Sequence, residues 1–308
     1  MIRVATRASA LAMAQARAVV DPLAAAGLRV ELVPMRTEGD RLAEARLAVV
    51  GGKGLFVREI EEALLRGDVD VAVHSLKDLP AEQPPGLCLA AFPERVDPRD
   101  VLVARRPVRF ADLPRGAVLG TSSPRRRALA LALRPDLTVE PIRGNVDTRL
   151  RKLEHGEWDA VVLAAAGLAR LGIRPAHAEP LAADVFVPAV GQGVLAVEAR
   201  ADDAATLAAL RALDHEPTRV CALAERAFLR RLGASCVTPM AAHARLAGGR
   251  VVLDGVVASE DGRTLLRETA EGSAEHPAAV GTQLAEALLA RGAAGVVALR
   301  PAGVADGR

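Results

Sequence analysis

The chain has 308 residues, 51% hydrophobic and 25% charged, which fits two or three packed domains of a soluble globular enzyme rather than a disordered chain. A net charge of +2 gives no overall pull toward nucleic acid, and with no Tyr, one Trp and five Phe the chain cannot build base-stacking platforms. The longest runs free of Asp, Glu, Lys and Arg, Val185–Val197 and Leu232–Ala244, have thirteen residues each, short of the ~20 that a membrane-spanning helix needs.

Lysine occurs only at Lys53, Lys77 and Lys152, so 37 of the 40 cations are arginine, and Asn145 is the sole asparagine. Heat adaptation and codon bias both produce such a balance. Three cysteines (Cys88, Cys221, Cys236) without a CxxC pair argue against a disulfide framework or a zinc site, and the six histidines lack ligand spacing, so no metal is expected.

Ile2–Thr6 predicts a strand, and Ser9 caps a helix over Ala10–Ala26 that stops at Gly27. The run Ala8–Ala16 after Arg3 and Arg7 imitates a signal peptide, but it is short and carries Ser9 and Gln15. An amphipathic helix in a cytoplasmic protein is the expectation. Arg29–Pro34 is the next strand. Gly51-Gly-Lys-Gly54 leads into a helix over Leu55–Arg66, stopped by Gly67. Asp68–Leu76 alternates Val69, Val71 and Val73 as a strand does, then meets Lys77-Asp78 and the breaker Pro80.

After Glu94–Arg99 the pattern restarts. Ala117–Thr121 is a strand, Ser123 and Pro124 start a helix to about Leu133, and Val139–Ile142 is a strand ending in the turn Arg143-Gly144-Asn145. A helix over Thr148–His155 and an apolar strand Ala160–Ala165 follow. Pro188–Gly193 is a crossover, and Val194–Glu198 a strand returning to the first half. Helix Thr218–Leu232, a loop with Cys236, turns at Gly248-Gly249 and Asp261-Gly262, a helix Val280–Arg291 and a strand Gly295–Leu299 describe a small α+β region.

In parallel α/β sheets, ligands bind beyond the carboxyl ends of the strands. There the sequence places Arg7; Ser75, Lys77 and Asp78; Thr121-Ser122-Ser123 with Arg125 and Arg126; and Arg143-Gly144-Asn145. Hydroxyls and free N–H groups at a helix start, beside guanidinium groups, suit a carboxylate. A capped helix with a solvated basic face fits the same residues. Gly51-Gly-Lys-Gly54 is no P-loop, because Gly54 follows the lysine where Ser or Thr is required. It is a loop able to close over an anion, or a plain turn. Asp78, at a strand end before a proline, is the best catalytic carboxylate; the alternative is a surface ion pair. Neighbours in an extended chain point apart, so Lys77 need not neutralise it. Cys236 follows a helix C-terminus, where the dipole disfavours a thiolate while Arg230 and Arg231 oppose that effect. It suits a slow, one-time attachment, or inert packing. Cys88 and Cys221 fall in apolar patterns and belong in the core.

Seven segments in order resemble the porphobilinogen deaminase (hydroxymethylbilane synthase) family: Ala5–Ser9, Gly51–Phe56, His74–Asp78, Gly120–Arg126, Arg143–Arg149, Pro188–Gly193 and Cys236. The resemblance implies two periplasmic-binding-protein-like α/β domains with chain crossovers plus a small C-terminal α+β domain: 1–95 with 194–212, 98–188, and 217–308. It implies a dipyrromethane cofactor joined through a thioether to Cys236. It implies a cytoplasmic transferase of tetrapyrrole and heme biosynthesis, monomeric, that condenses four porphobilinogen molecules head to tail and releases ammonia and a linear tetrapyrrole. Asp78 takes the catalytic place. The carboxylate-rich chain is held by Arg7, Lys53, Lys77, Arg125, Arg126, Arg143, Arg149 and Arg170, with Ser75, Thr121, Ser122, Ser123, Gly144, Asn145 and Gln192 adding neutral contacts. Phe56 lines the cleft or the core. Pro124, Ser235 and Asp147 depart from the family pattern; Asp147 either adds charge near Arg149 or caps the helix from Thr148. A solute-binding protein without chemistry is the main rival, but it needs neither the third domain nor Cys236.

Overall fold

Short runs of valine, alanine and leucine alternate with capped helices. In the computed structural model, which describes residues 1–35, 57–233 and 238–297, they assemble into three sheets. The chain begins with β1 (Ile2–Arg7), α1 (Ala10–Ala25), β2 (Val30–Met35), α2 (Arg58–Arg66), β3 (Val71–Ser75) and β4 (Leu87–Ala91). It continues through β5 (Asp100–Ala104), β6 (Val118–Gly120), α3 (Pro124–Leu133), β7 (Thr138–Glu140), α4 (Val146–Glu154), β8 (Ala160–Ala164), α5 (Ala165–Arg170) and β9 (Ala178–Pro180). It ends with β10 (Leu195–Arg200), α6 (Ala204–Leu210), α7 (Glu216–Leu232), β11 (Met240–Ala247), β12 (Arg250–Ala258), β13 (Leu265–Ser273), α8 (Pro277–Ala290) and the single turn α9 (Ala293–Val296).

The chain divides into two units, Met1–Val96 with Gly193–Arg219, and Asp97–Gln192 with Val220–Arg308. The first holds a sheet in the order β2-β1-β3-β10-β4. β1 runs parallel to β2 and β3, while β10 is antiparallel to β3 and β4. Strand side chains alternate between faces. Val71 and Val73 therefore pack with Val19 and Leu23 of α1, and Ala72 packs on the opposite face with Ile60 and Leu64 of α2. Burying such a side chain contributes ~1.5–3 kcal/mol.

The second unit holds a sheet in the order β7-β6-β8-β5-β9. β6 is parallel to β7 and β8, and β5 is antiparallel to β8 and β9. The two sheets thus share one plan, three parallel strands followed by an antiparallel insertion, although the sequence shows no repeat. The same unit carries the antiparallel sheet β11-β12-β13. Its Val251, Leu253 and Val257 pack against Phe228 of α7 and Leu284 of α8.

The expected strand at Gly295–Leu299 is corrected. Ala293–Val296 forms a helical turn after Gly292, whose φ of 89° ends α8, and residues 298–299 lie outside the described residues. A short apolar run fits a buried turn as well as a strand. The helix expected from Thr148 begins at Val146, and its cap is Asn145, not Asp147. Among the described residues no helix is long and apolar enough to cross a membrane.

Candidate functional site

In the first unit the parallel strands deliver their carboxyl ends to one edge. Arg7 closes β1, and Ser9 caps α1 by accepting from Ala12 N. After Ser75 the chain turns through a 3₁₀ segment, Leu76–Asp78, rather than continuing extended. This overturns the expectation that Lys77 and Asp78 diverge by strand alternation. The turn is set by burial. Leu76 and Leu79 are buried, and Leu76 N donates to Val194 O at 3.0 Å, so Asp78 is left exposed. Arg7, Ser9, Gln15, His74, Ser75 and Asp78 line a cavity of about 60 Å³. Gln15 was not singled out from the sequence. It is buried on the apolar face of α1 and donates from Nε2 to Ser75 Oγ at 2.7 Å. Its signal was available: a polar residue between Ala12, Ala16 and Val19 on the buried stripe.

In the second unit β7, β6 and β8 run parallel, so the segments that follow them share an edge. Thr121 Oγ1 accepts from Ser123 N at 3.2 Å, and Ser123 Oγ accepts from Arg126 N at 3.4 Å as the cap of α3. Ser122 Oγ donates to Ile142 O at 2.8 Å, joining the ends of β6 and β7. Asn145 Oδ1 accepts from Thr148 N at 3.0 Å. Gly144 has φ 109°, and a Cβ there would lie 2.6 Å from Thr148 Cγ2, so the turn requires glycine. Arg143 and Asn145 are exposed, Arg149 and Arg170 half-buried. Arg149 Nε donates to Gly144 O at 2.8 Å. Burial lowers the Arg149 pKa, with Arg126 adding repulsion, and burial lowers that of Arg170 to about 10.

Arg125 and Arg126 are not on a solvated face. Both are buried and converge on Asp100, which is wholly buried. Arg125 NH1 donates to Asp100 Oδ2 at 2.7 Å and to Val187 O at 2.8 Å. Arg126 donates to Asp100 Oδ1 from Nε at 3.0 Å and from NH2 at 2.7 Å, and its NH1 reaches Val162 O at 2.9 Å. Gln192 Nε2 donates to the same Oδ1 at 3.0 Å and to Pro98 O at 2.7 Å. Burial alone raises the Asp100 pKa, but the two guanidinium groups outweigh it and hold the carboxylate far below its usual range. Asp100 also escaped sequence reading, although an acid opening the apolar run Asp100–Ala104 is a signal of a buried partner.

One donor in this cluster is unfilled. Arg125 Nε is buried with no hydrogen-bond partner. A buried guanidinium N–H is costly to leave unpaired, and its natural complement is a carboxylate oxygen. The residues therefore fit an acidic ligand such as a dipyrromethane bearing acetate and propionate arms. Lys53, the Gly51–Phe56 segment and Cys236 lie outside the described residues. Cys88 is half-buried and Cys221 buried. Among the described residues no group of His, Cys, Asp and Glu is arranged to hold a metal ion.

Residues 2–208 match the family described as porphobilinogen deaminase, dipyromethane cofactor binding domain, and residues 219–290 match its C-terminal domain. A porphobilinogen deaminase of Syntrophotalea carbinolica is 51% identical over 96% of this chain and 95% of its own length. One of Desulforudis audaxviator is 52% identical over 97% and 98%. Among solved structures, a periplasmic substrate-binding protein of an ABC transporter from Coxiella burnetii is 18% identical, covers 71% of this chain and 93% of its own, and has a TM-score of 0.43.

Proposed function

The chain belongs to the porphobilinogen deaminase family, and from that premise we propose that it converts four porphobilinogen molecules and one water into hydroxymethylbilane and four ammonia. The observation that carries this is identity near one half over almost the whole of two relatives. It is a transferase of tetrapyrrole biosynthesis, and its cofactor is dipyrromethane. When bound, that group supplies the primer whose terminal ring carbon is the nucleophile. Cys236 is the attachment point, and the first segment (1–95 with 194–212) supplies Asp78, the second (98–188) the arginines, the third (217–308) the cysteine. The substrate is a small acidic molecule, and in this reading the chain is a cytoplasmic monomer without nucleic acid or membrane partner.

Each pyrrole ring carries two carboxylates, so the growing chain needs fixed cations. Arg125, Arg126, Arg143, Arg149 and Arg170 bind those carboxylates, Thr121, Ser122, Ser123, Gly144 and Asn145 shape the edge on which they sit, and Gln192 steadies the arginines through Asp100. Each charged hydrogen bond contributes ~1.5–3 kcal/mol. Arg7 and Lys77 do the same beside Asp78, with Ser75 and Gln15 orienting the incoming ring, and Lys53 is a further carboxylate-binding cation.

Asp78 acts on charge. The substrate amine arrives protonated and departs as ammonia, which leaves a methylene-pyrrolenine cation on the substrate. A carboxylate beside the pyrrole N–H stabilises that cation. At ~4 Å and an effective dielectric of ~20 the attraction is about 4 kcal/mol, roughly a thousandfold in rate if realised in the transition state. After the new carbon–carbon bond forms, the same carboxylate assists removal of the proton from the ring carbon that attacked.

Intact-mass spectrometry of the purified chain, with Ehrlich's reagent on the same sample, tests the assignment. A dipyrromethane increment that maps to Cys236 and is lost in Cys236→Ser supports it. An unmodified wild-type chain that consumes no porphobilinogen after loading with the cofactor's precursor refutes it.

A further inference from the structure

Three titratable side chains are buried together behind β3, and the chemistry above uses none of them. His74 of β3 is 7% exposed, Glu198 of β10 is 0% and Glu61 of α2 is 8%. Register explains their meeting. His74 shares a strand face with Ala72, and Glu198 stands opposite Ala72, so both point into the layer filled by Ile60, Ala63 and Leu64 of α2. His74 Nε2 lies 3.1 Å from Glu198 Oε2. Glu198 Oε1 and Glu61 Oε1 are both buried without a hydrogen-bond partner.

Two carboxylates with orphaned oxygens around one imidazole cannot all take their solution charges in an apolar layer. The stable arrangement keeps one added proton among these polar atoms. We propose that Glu61, Glu198 and His74 share such a proton and, through the His74–Glu198 contact, position the end of β3 from which Asp78 projects. The positioning part rests on Asp78 being the catalytic carboxylate.

Burial, reinforced by Glu198 and opposed by His74, lifts Glu61 to about 7, so this carboxyl changes charge near neutral pH. The other titratable groups nearby are few. Cys88 of β4 has its thiol pushed up by burial and by Glu198. Glu59 of α2 has contacts of its own. On the α1 side the facing polar residue is the uncharged Gln15, and beyond the strand end stand Arg7 and Asp78.

The test compares the full-length wild type with Glu61→Gln, which keeps the shape and removes the charge. Melting temperature is measured from pH 5 to 8, and kcat and KM for porphobilinogen across the same range. The variant gains several degrees on the wild type as pH rises, because only the wild type must ionise a buried acid. The wild-type profile of kcat carries an ionisation near 7 that vanishes or moves by about one unit or more in the variant, while KM stays within about twofold. Glu198→Gln lowers kcat about tenfold or more with the dipyrromethane mass retained. A melting difference that ignores pH overturns the shared proton. Superimposable kcat profiles overturn the positioning role. A wild type that never turns over porphobilinogen contradicts the functional assignment instead, and the melting series still decides the cluster.

Discussion

Asp78 and Asp100 are the same side chain put to opposite uses by their surroundings. Asp78 is exposed at a strand end, while Asp100 is wholly buried under two guanidinium groups. Asp78→Asn should therefore melt like the wild type and lose roughly a thousandfold in kcat, read by product formation against a melting curve. Asp100→Asn should leave two buried cations facing a neutral amide and destabilise the fold by ~3–5 kcal/mol, read by urea unfolding at pH 7. The sign with pH follows from the depressed pKa of Asp100. Its stabilisation is complete above the usual aspartate value of ~3.9 and is lost as pH falls toward the folded value. The gap between wild type and variant should accordingly narrow below pH ~4 and stay constant above it. The exposed position of Asp78 beyond a strand end was legible in the sequence, because a strand end before a proline is a local feature. Asp100 and Gln15 were not, because their meaning lies in partners 25 and 60 residues away. The same distance hid the fate of Arg125 and Arg126, which the sequence presents as a basic run and the fold draws inward.

At the scale of elements, caps and close approaches decide the site's shape. Asn145 starts α4 and so fixes the turn that carries Arg143 and Gly144. Asn145→Ala should cost about 1 kcal/mol and weaken porphobilinogen binding through the loosened turn, measured as a rise in KM without a matching fall in kcat. Gly281 lets α8 lie on α7: a Cβ there would sit 2.1 Å from Ala224 O. Backbone cannot yield as a side chain can, so Gly281→Ala should destabilise by ~1–3 kcal/mol or more, seen as a lowered melting temperature. Periodicity and caps made most of these elements readable, including α3 with Ser123 and Pro124 at its start. The 3₁₀ turn at Leu76–Asp78 and the turn α9 were misread, because burial of Leu76 and of Ala293 overrides local pattern.

For the whole molecule, strand order was the part that periodicity left open. Both five-stranded sheets take three parallel strands and an antiparallel insertion, β10 in one and β5 in the other. The sequence signalled the first insertion by the crossover at Pro188–Gly193 and gave no comparable sign of the second. A net charge of only +2 conceals how unevenly the arginines are placed. If the proposed function holds, cations at the strand ends attract the acidic substrate over a distance of about the Debye length, ~8–10 Å near physiological salt. KM should rise with ionic strength while kcat changes little; a salt-independent KM would remove the electrostatic role.

The most direct test of the account is a single-turnover experiment on the Asp78→Asn protein, followed by intact mass. The account predicts a chain that keeps the dipyrromethane increment on Cys236 and gains its first porphobilinogen unit roughly a thousandfold more slowly than the wild type. Addition at the wild-type rate would contradict it.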